Sequence, residues 1–209
     1  FTRTTLELAL VDAKGEVEAT RSAAIPAGGA RQIAEAARLT VARIVQEGGI
    51  PQDRMIGIGC AMPGNFGSDT DLLAPHEVFS ELDDAGVLAD FVGRLGLPFH
   101  LENDGTSAAL GERVFGRQEG DGHSPYLIHL GHGVGGGVIV DGAPFTGAHG
   151  NAGLPGFLYP YGAPRPSGLD LLDGLRAQGH AIADFRDLDT FAPDHPDLVA
   201  WCARAGAQL

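Results

Sequence analysis

The sequence predicts a mixed α/β fold in two lobes around a cleft. Its patterns run hairpin, helix, strand, helix, strand, helix, and then start afresh with a second hairpin. Hairpins interleaved with single strands and helices make mixed sheets rather than one doubly wound parallel sheet. A polar, glycine-rich stretch over 117–124 separates the two β units. It divides the chain into a first lobe over 1–118 and the beginning of a second over 119–209. Hydrophobic residues are 44% of the 209 and charged residues 20%, so the chain can bury a sizeable core.

Each element has its own signal. Leu6, Leu8 and Leu10 alternate with Thr5, Glu7 and Ala9, which predicts a strand with one buried face. Asp12-Ala13-Lys14-Gly15 is a turn, and 16–25 reads as the returning strand. After a break at 26–29, Ile33, Ala37, Val41, Ile44 and Val45 recur at helical spacing, ended by Gly48-Gly49. Residues 55–60 form a short apolar strand before Pro63-Gly64. Leu82, Val87, Leu88, Phe91 and Leu95 mark a second helix, 97–102 a strand and 106–115 a third helix. In the second unit, 126–130 is a strand, 131–137 a glycine loop and 138–140 a strand closed by Asp141-Gly142. Residues 145–168 read as loop, and 169–178 and 198–209 as helices.

Composition excludes several classes. The net charge of −13 repels phosphate backbones, so this segment is not a nucleic-acid grip by itself. Glycine is 32 of 209 residues, roughly twice ordinary usage, without a collagen period. Cys60 and Cys202 are too few for a disulfide framework or a four-thiolate zinc site, a usage that fits the cytoplasm. No apolar run approaches the length of a membrane span. The sequence opens on Phe1 and stops within a helical pattern, so it reads as a piece of a longer protein.

Two motifs carry potential chemistry. Gly131, Gly133 and Gly136 satisfy G-x-G-x-x-G, but a β-branched strand follows where a dinucleotide site needs a helix. Such a loop either presents backbone N–H groups to phosphate or is a glycine-bulged hairpin packed on a neighbour. Glu102-Asn103-Asp104 stands at a strand end before a helix. A carboxylate there can accept a hydroxyl proton, or it can cap the helix that starts near Thr106. Of eight histidines, four lie within 123–149, and His129 and His132 lack a Cys or carboxylate at ligand spacing. They read as structural or solvated.

Taken together, the motifs resemble the ROK family (repressors, open reading frames and sugar kinases) of the actin-like, ribonuclease-H-like superfamily. The resemblance rests on Gly57-Ile-Gly-Cys-Ala-Met-Pro-Gly64, Leu101-Glu-Asn-Asp104 with Ala108-Ala-Leu-Gly-Glu112, Leu130-Gly-His-Gly-Val-Gly-Gly-Gly137 with Asp141-Gly142, and Gly147-Ala-His-Gly-Asn-Ala-Gly153. It implies an actin-like ATPase fold whose cleft binds a sugar and, in the kinases, ATP with Mg2+. By the resemblance Asp104 is the catalytic base, Asn103 a ligand of a sugar hydroxyl, and Gly64 part of the turn lining the sugar pocket. Gly133, Gly135 and Gly136 match the second phosphate loop, and Thr4 the end of the first. A cytoplasmic homodimer is expected.

The departures are as informative. Thr2-Arg3-Thr4 stands where the family's Gly-Gly-Thr falls. Leu154 and Phe157 replace a sugar-binding Glu and His, and that His is also a zinc ligand in the family. Residues 162–172 hold no Cys, so no structural zinc is expected. Asp170 falls near the family's last sugar-binding Glu. The leading expectation is a sugar-sensing effector domain of a transcriptional regulator. Its DNA contacts would come only through a winged helix-turn-helix preceding Phe1. The alternatives are an ATP-dependent sugar kinase and a non-catalytic scaffold of the same fold.

Overall fold

The structure, a computed structural model, describes residues 5–26, 30–66, 73–75, 96–116, 125–160 and 162–209. β1 (Thr5–Val11) and β2 (Val17–Ala24) pair antiparallel about a turn. In that turn Asp12 Oδ1 accepts from Lys14 N at 2.8 Å and Glu16 N at 2.9 Å, with Gly15 at φ +86°. Leu6 and Leu10 are buried as the alternation predicts. α1 (Ala30–Gly48) turns Ile33, Ala37 and Ile44 inward. Leu6 and Ala37 form one core cluster with Leu8, Ala34 and Phe99.

β3 (Ile58–Met62) is followed by a short antiparallel ladder of β4 (Gly64–Phe66) and β5 (Leu73–Pro75). β6 (Phe99–Asn103) runs parallel to β3, with Ile58 opposite Phe99 and Met62 opposite Asn103. The ladder begins where Ile58 N donates to Pro98 O at 2.8 Å. Met55 to Gly57, expected within the strand, therefore lie outside it, and Ile56 is 85% exposed. α2 (Asp104–Phe115) follows β6 directly, two residues earlier than expected. The helix expected over 82–95 and the lobe boundary over 117–124 lie outside the described residues.

β7 (Tyr126–Leu130), β8 (Val134–Val140) and β9 (Ala143–Pro144) form an antiparallel meander. The β8–β9 connection is Asp141-Gly142, both at positive φ (51° and 82°), a two-residue turn matched to strand twist. The expected glycine loop is corrected here: only 131–133 is turn, and Gly135, Gly136 and Gly137 lie within β8. α3 (Gly168–Ala177) and α4 (Pro196–Gln208) follow. Leu172, Leu175 and Ile182 form their core with Phe185, Leu188, Phe191 and Leu198 packed against it. Among the described residues, no helix is long and apolar enough to cross a membrane.

The two β units are joined by α2 lying on β8. A Cβ at Gly105 would fall 2.7 Å from Gly136 O and 2.9 Å from Gly136 Cα. A Cβ at Gly137 would fall 2.8 Å from Thr106 Cα and 2.9 Å from Ala109 Cβ, and Ala109 is fully buried. Backbone meets backbone here, and no side chain can swing aside. Gly105→Ala is expected to lower stability in urea unfolding by about 1–3 kcal/mol, the usual cost of overpacking. Gly111 lies on the same helix with nothing within 4 Å of its Cβ position. Gly111→Ala should leave stability unchanged or raise it by up to about 1 kcal/mol, from helix propensity alone.

Candidate functional site

The parallel β3–β6 pair ends with two chain segments side by side. Met62 lies opposite Asn103, so Pro63-Gly64 and Asn103-Asp104 leave the sheet at the same edge. The carboxyl ends of parallel strands are where ligand groups converge in α/β folds. Asn103 fixes this edge. It is 6% exposed, its Oδ1 accepts from Thr106 N at 3.0 Å, and its Nδ2 donates to Gly64 O at 2.9 Å. One side chain thus caps α2 and tethers the Pro-Gly turn. Asp104 is not the cap: it is the first residue of α2, and its Oδ1 accepts from Gly105 N at 2.8 Å.

β8 brings glycines to the same place, and they divide by role. Gly136 is explained by packing, since a Cβ there would fall 2.9 Å from Pro155 Cδ. Gly135 faces the carboxylate: its Cβ position lies 3.9 Å from Asp104 Oδ1 and 4.0 Å from His129 Cδ2. Nothing lies within 4 Å of the Cβ position of Gly133. Gly131 N donates to Gly133 O at 3.0 Å, closing the turn. The turn also holds α3, because Gly168 N donates to Gly131 O at 2.8 Å and Leu169 N to His132 O at 3.1 Å. The His132 ring stands edge-on to Phe185, centroids 4.8 Å apart. Gly133 and Gly135 are the glycines of this segment whose Cβ positions no neighbouring atom crowds.

Leu154 precedes a 3-10 turn over Pro155–Leu158 that packs on β8. Phe157 is 66% exposed on it. Arg165 Nη2 donates to Gly156 O at 3.3 Å, and burial holds the Arg165 guanidinium below the ordinary arginine range. Asp170 is committed elsewhere than to a ligand. Its carboxylate accepts from Arg165 N at 3.1 Å and Trp201 Nε1 at 2.8 Å, and pairs with Arg204. It pins α3 to α4. Burial pushes its acidity down, but the hydrogen bonds from Arg204, Trp201 and Arg165 outweigh this and leave its pKa below the ordinary aspartate value.

The structure therefore brings Gly64, Asn103, Asp104 and Gly135 together, with Gly133 two residues along the chain. Thr4, with Thr2 and Arg3, lies outside the described residues. His129, read from the sequence as structural or solvated, stands beside this group. It pairs directly with Gly135 across β7–β8, and the hairpin register about the 131–133 turn is the signal that would have found it.

The model of the ROK family matches residues 2–166. The uncharacterized protein y4fQ of Sinorhizobium fredii is 42% identical over 210 residues, covering 100% of this chain and 54% of its own length. A beta-glucoside kinase of Listeria innocua is 29% identical over 165 residues, 78% of this chain and 53% of the kinase. The crystal structure of a ROK family transcriptional regulator, a homologue of the E. coli MLC protein, superposes with a TM-score of 0.71 at 21% identity. That match covers 99% of this chain and 58% of the regulator. At this identity the likeness is one of fold, the actin-like ATPase fold, of which this chain covers part. The chain spans about half the length of the curated relatives it matches.

Two substitutions test the geometry. Asn103→Ala removes the cap, about 0.5–2 kcal/mol, and leaves buried Gly64 O without its donor. Asn103→Ser should recover the cap's share of that loss but not the tether, as read by urea unfolding of the three proteins. For Asp170, a lowered pKa in the fold means stability that is present above the unfolded pKa and is lost as pH falls through the folded one. With Arg204 partly exposed, Asp170→Asn is expected to cost about 1–2 kcal/mol at pH 7. The gap between parent and variant should begin to narrow as pH falls to the ordinary aspartate value of about 4, and close only once pH passes below the lowered folded-state value.

Proposed function

This chain belongs to the ROK family, and from that premise we propose that it is the sugar-sensing, effector-binding domain of a transcriptional regulator in which kinase chemistry has been lost. Membership alone does not choose, because its relatives include both regulators and sugar kinases. The observation that carries the reading is a base kept while the groups around it are exchanged. Asp104 stands at the end of β6, but Leu154 and Phe157 occupy the positions of the sugar-binding Glu and His that the family resemblance implies. Thr2 and Arg3 stand where the resemblance implies glycines against phosphate.

Phosphoryl transfer needs both phosphate grips and an oriented acceptor at once. Sugar binding asks for less. Asp104 accepts from a sugar hydroxyl, Gly64 lines the pocket, and Asn103 offers the second hydrogen of its amide to another hydroxyl. Phe157 supplies an apolar face, which favours a sugar derivative over a plain hexose. With a charge of −13, this domain leaves DNA to a separate basic winged helix-turn-helix. A cytoplasmic homodimer is the corresponding assembly, without a structural zinc.

The second reading is an ATP-dependent sugar kinase, and one observation favours it: Gly135 opens directly onto Asp104. In that reading Gly133 and Gly135 lie against the phosphates of ATP, with Mg2+ supplying charge neutralisation, and Thr4 belongs to the first phosphate loop. Gly136 has its side-chain space filled by Pro155.

The readings separate in two assays on one protein. Calorimetric titration with glucose, xylose, N-acetylglucosamine and N-acetylmannosamine, without nucleotide, is expected to show binding of at least one sugar that disappears in Asp104→Ala. A coupled ADP-release assay with magnesium-ATP and the same sugars is expected to show no turnover. Turnover near 1 s⁻¹, the low end of typical kinases, that vanishes in Asp104→Asn would establish the kinase. Absence of binding by every sugar would remove the sensing role.

A further inference from the structure

A second cluster of chemistry-bearing side chains sits on other elements than those carrying Asp104. His180 follows α3, His195 caps α4, and Asp197 lies in the first turn of α4. His180 Nε2 is 2.7 Å from Asp197 Oδ2, and His195 Nδ1 is 4.0 Å from the same oxygen. The three ligand atoms all lie within 4.8 Å of one another. The two imidazoles meet edge to face with centroids 5.0 Å apart. Phe191 stands edge-on to both, at 5.1 Å and 5.0 Å, and walls one side with an apolar ring.

The backbone fixes each position. Gly179 at φ +90° turns the chain, and His180 N donates to Leu175 O at 3.1 Å. Arg176 holds the following loop through Ile182 O at 3.0 Å and Ala183 O at 2.7 Å. His195 N donates to Ala192 O at 2.9 Å, and Val199 N to His195 O at 3.0 Å. The side away from Phe191 is wet: the three side chains are 28%, 29% and 37% exposed.

We propose that His180, His195 and Asp197 form an exchangeable site for a late first-row divalent metal ion of the zinc class, with water completing the coordination. A hydrogen bond needs only His180 and Asp197. The second imidazole, its Nδ1 4.0 Å from the same carboxylate oxygen, takes no part in that bond, whereas a metal ion between the three groups would use both rings. Bonds of about 2.0–2.2 Å in a tetrahedral site place ligand atoms roughly 3.3–3.6 Å apart. The observed separations of 2.7 Å and 4.0 Å straddle that range, so small side-chain rotations suffice. His195 Nδ1 accepts one long bond, 3.3 Å, from Asp197 N, which a metal readily displaces. Two imidazoles with one carboxylate suit zinc, cobalt or nickel, whereas magnesium and calcium favour all-oxygen sites. The site is separate from the Cys-containing zinc site that the sequence lacks, and its exposure makes the bound ion exchangeable.

The test is calorimetric titration of the chelator-stripped chain with zinc chloride, followed by cobalt chloride read by visible absorption. One equivalent with a micromolar Kd is expected, with the visible bands of four-coordinate cobalt. His180→Ala, His195→Ala and Asp197→Ala should each weaken binding tenfold or more, and the exposed His149→Ala should not. Asp197→Asn keeps the helix start and a partner for His180, so it should weaken zinc binding with the far-ultraviolet circular dichroism unchanged. Absence of saturable binding below about 1 mM, or binding that none of the cluster substitutions affects, would overturn the proposal and leave a His–Asp hydrogen bond packed on Phe191.

Discussion

Between α2 and β8 two backbones lie so close that side chains are excluded from both. Gly105 meets Gly136, and Gly137 meets Thr106 and Ala109, at separations no Cβ could occupy. Much else follows from this contact. It sets the depth at which the N-terminus of α2 sits against the meander, and so it brings the Asp104 carboxylate opposite Gly135. It also joins the strand pair β3–β6, whose ends carry the Pro-Gly turn, to the hairpin whose turn holds α3. The site is an assembly of segments far apart in sequence, and close helix–strand packing gives it a defined geometry.

Within that frame Asn103 is the local tie. Its oxygen ends one conformation and starts another by capping α2, while its nitrogen keeps Gly64 O in place. A single buried amide thereby couples the Pro63-Gly64 turn to the start of the helix that carries Asp104. Asp170 acts in the same way one layer further out, gathering Arg165 N, Trp201 and Arg204 so that α3 and α4 are tied together. Both residues carry polar groups suited to a ligand, and both have most of that capacity satisfied by the protein.

The sequence makes the periodic parts legible and hides what depends on a distant partner. Leu6 and Leu10 announce β1, and Ile33, Ala37 and Ile44 announce α1, because burial repeats with the element's own period. Gly135 to Gly137 read as a loop because glycine carries no face. Whether it marks a turn or a close approach is decided by Gly105, thirty residues earlier. The apolar run from Met55 suggests a strand, yet the ladder waits for the Pro98 carbonyl, and Ile56 remains exposed. Asp170 resembles a sugar ligand until Trp201 and Arg204 arrive from α4. That Asn103, Asp104 and Gly64 share one sheet edge is legible because each motif directly follows or ends a strand of the same parallel pair.

The proposed sugar-sensing role requires that ligand be read at this glycine-packed junction. Amide hydrogen exchange of the chain, with and without a saturating sugar from the calorimetric panel, tests it most directly. Protection is expected at residues 62–66, 101–106 and 131–137, the segments that Asn103 and the α2–β8 contact hold together. Protection confined to 168–209, or unchanged exchange in the three junction segments at saturating ligand, would contradict it.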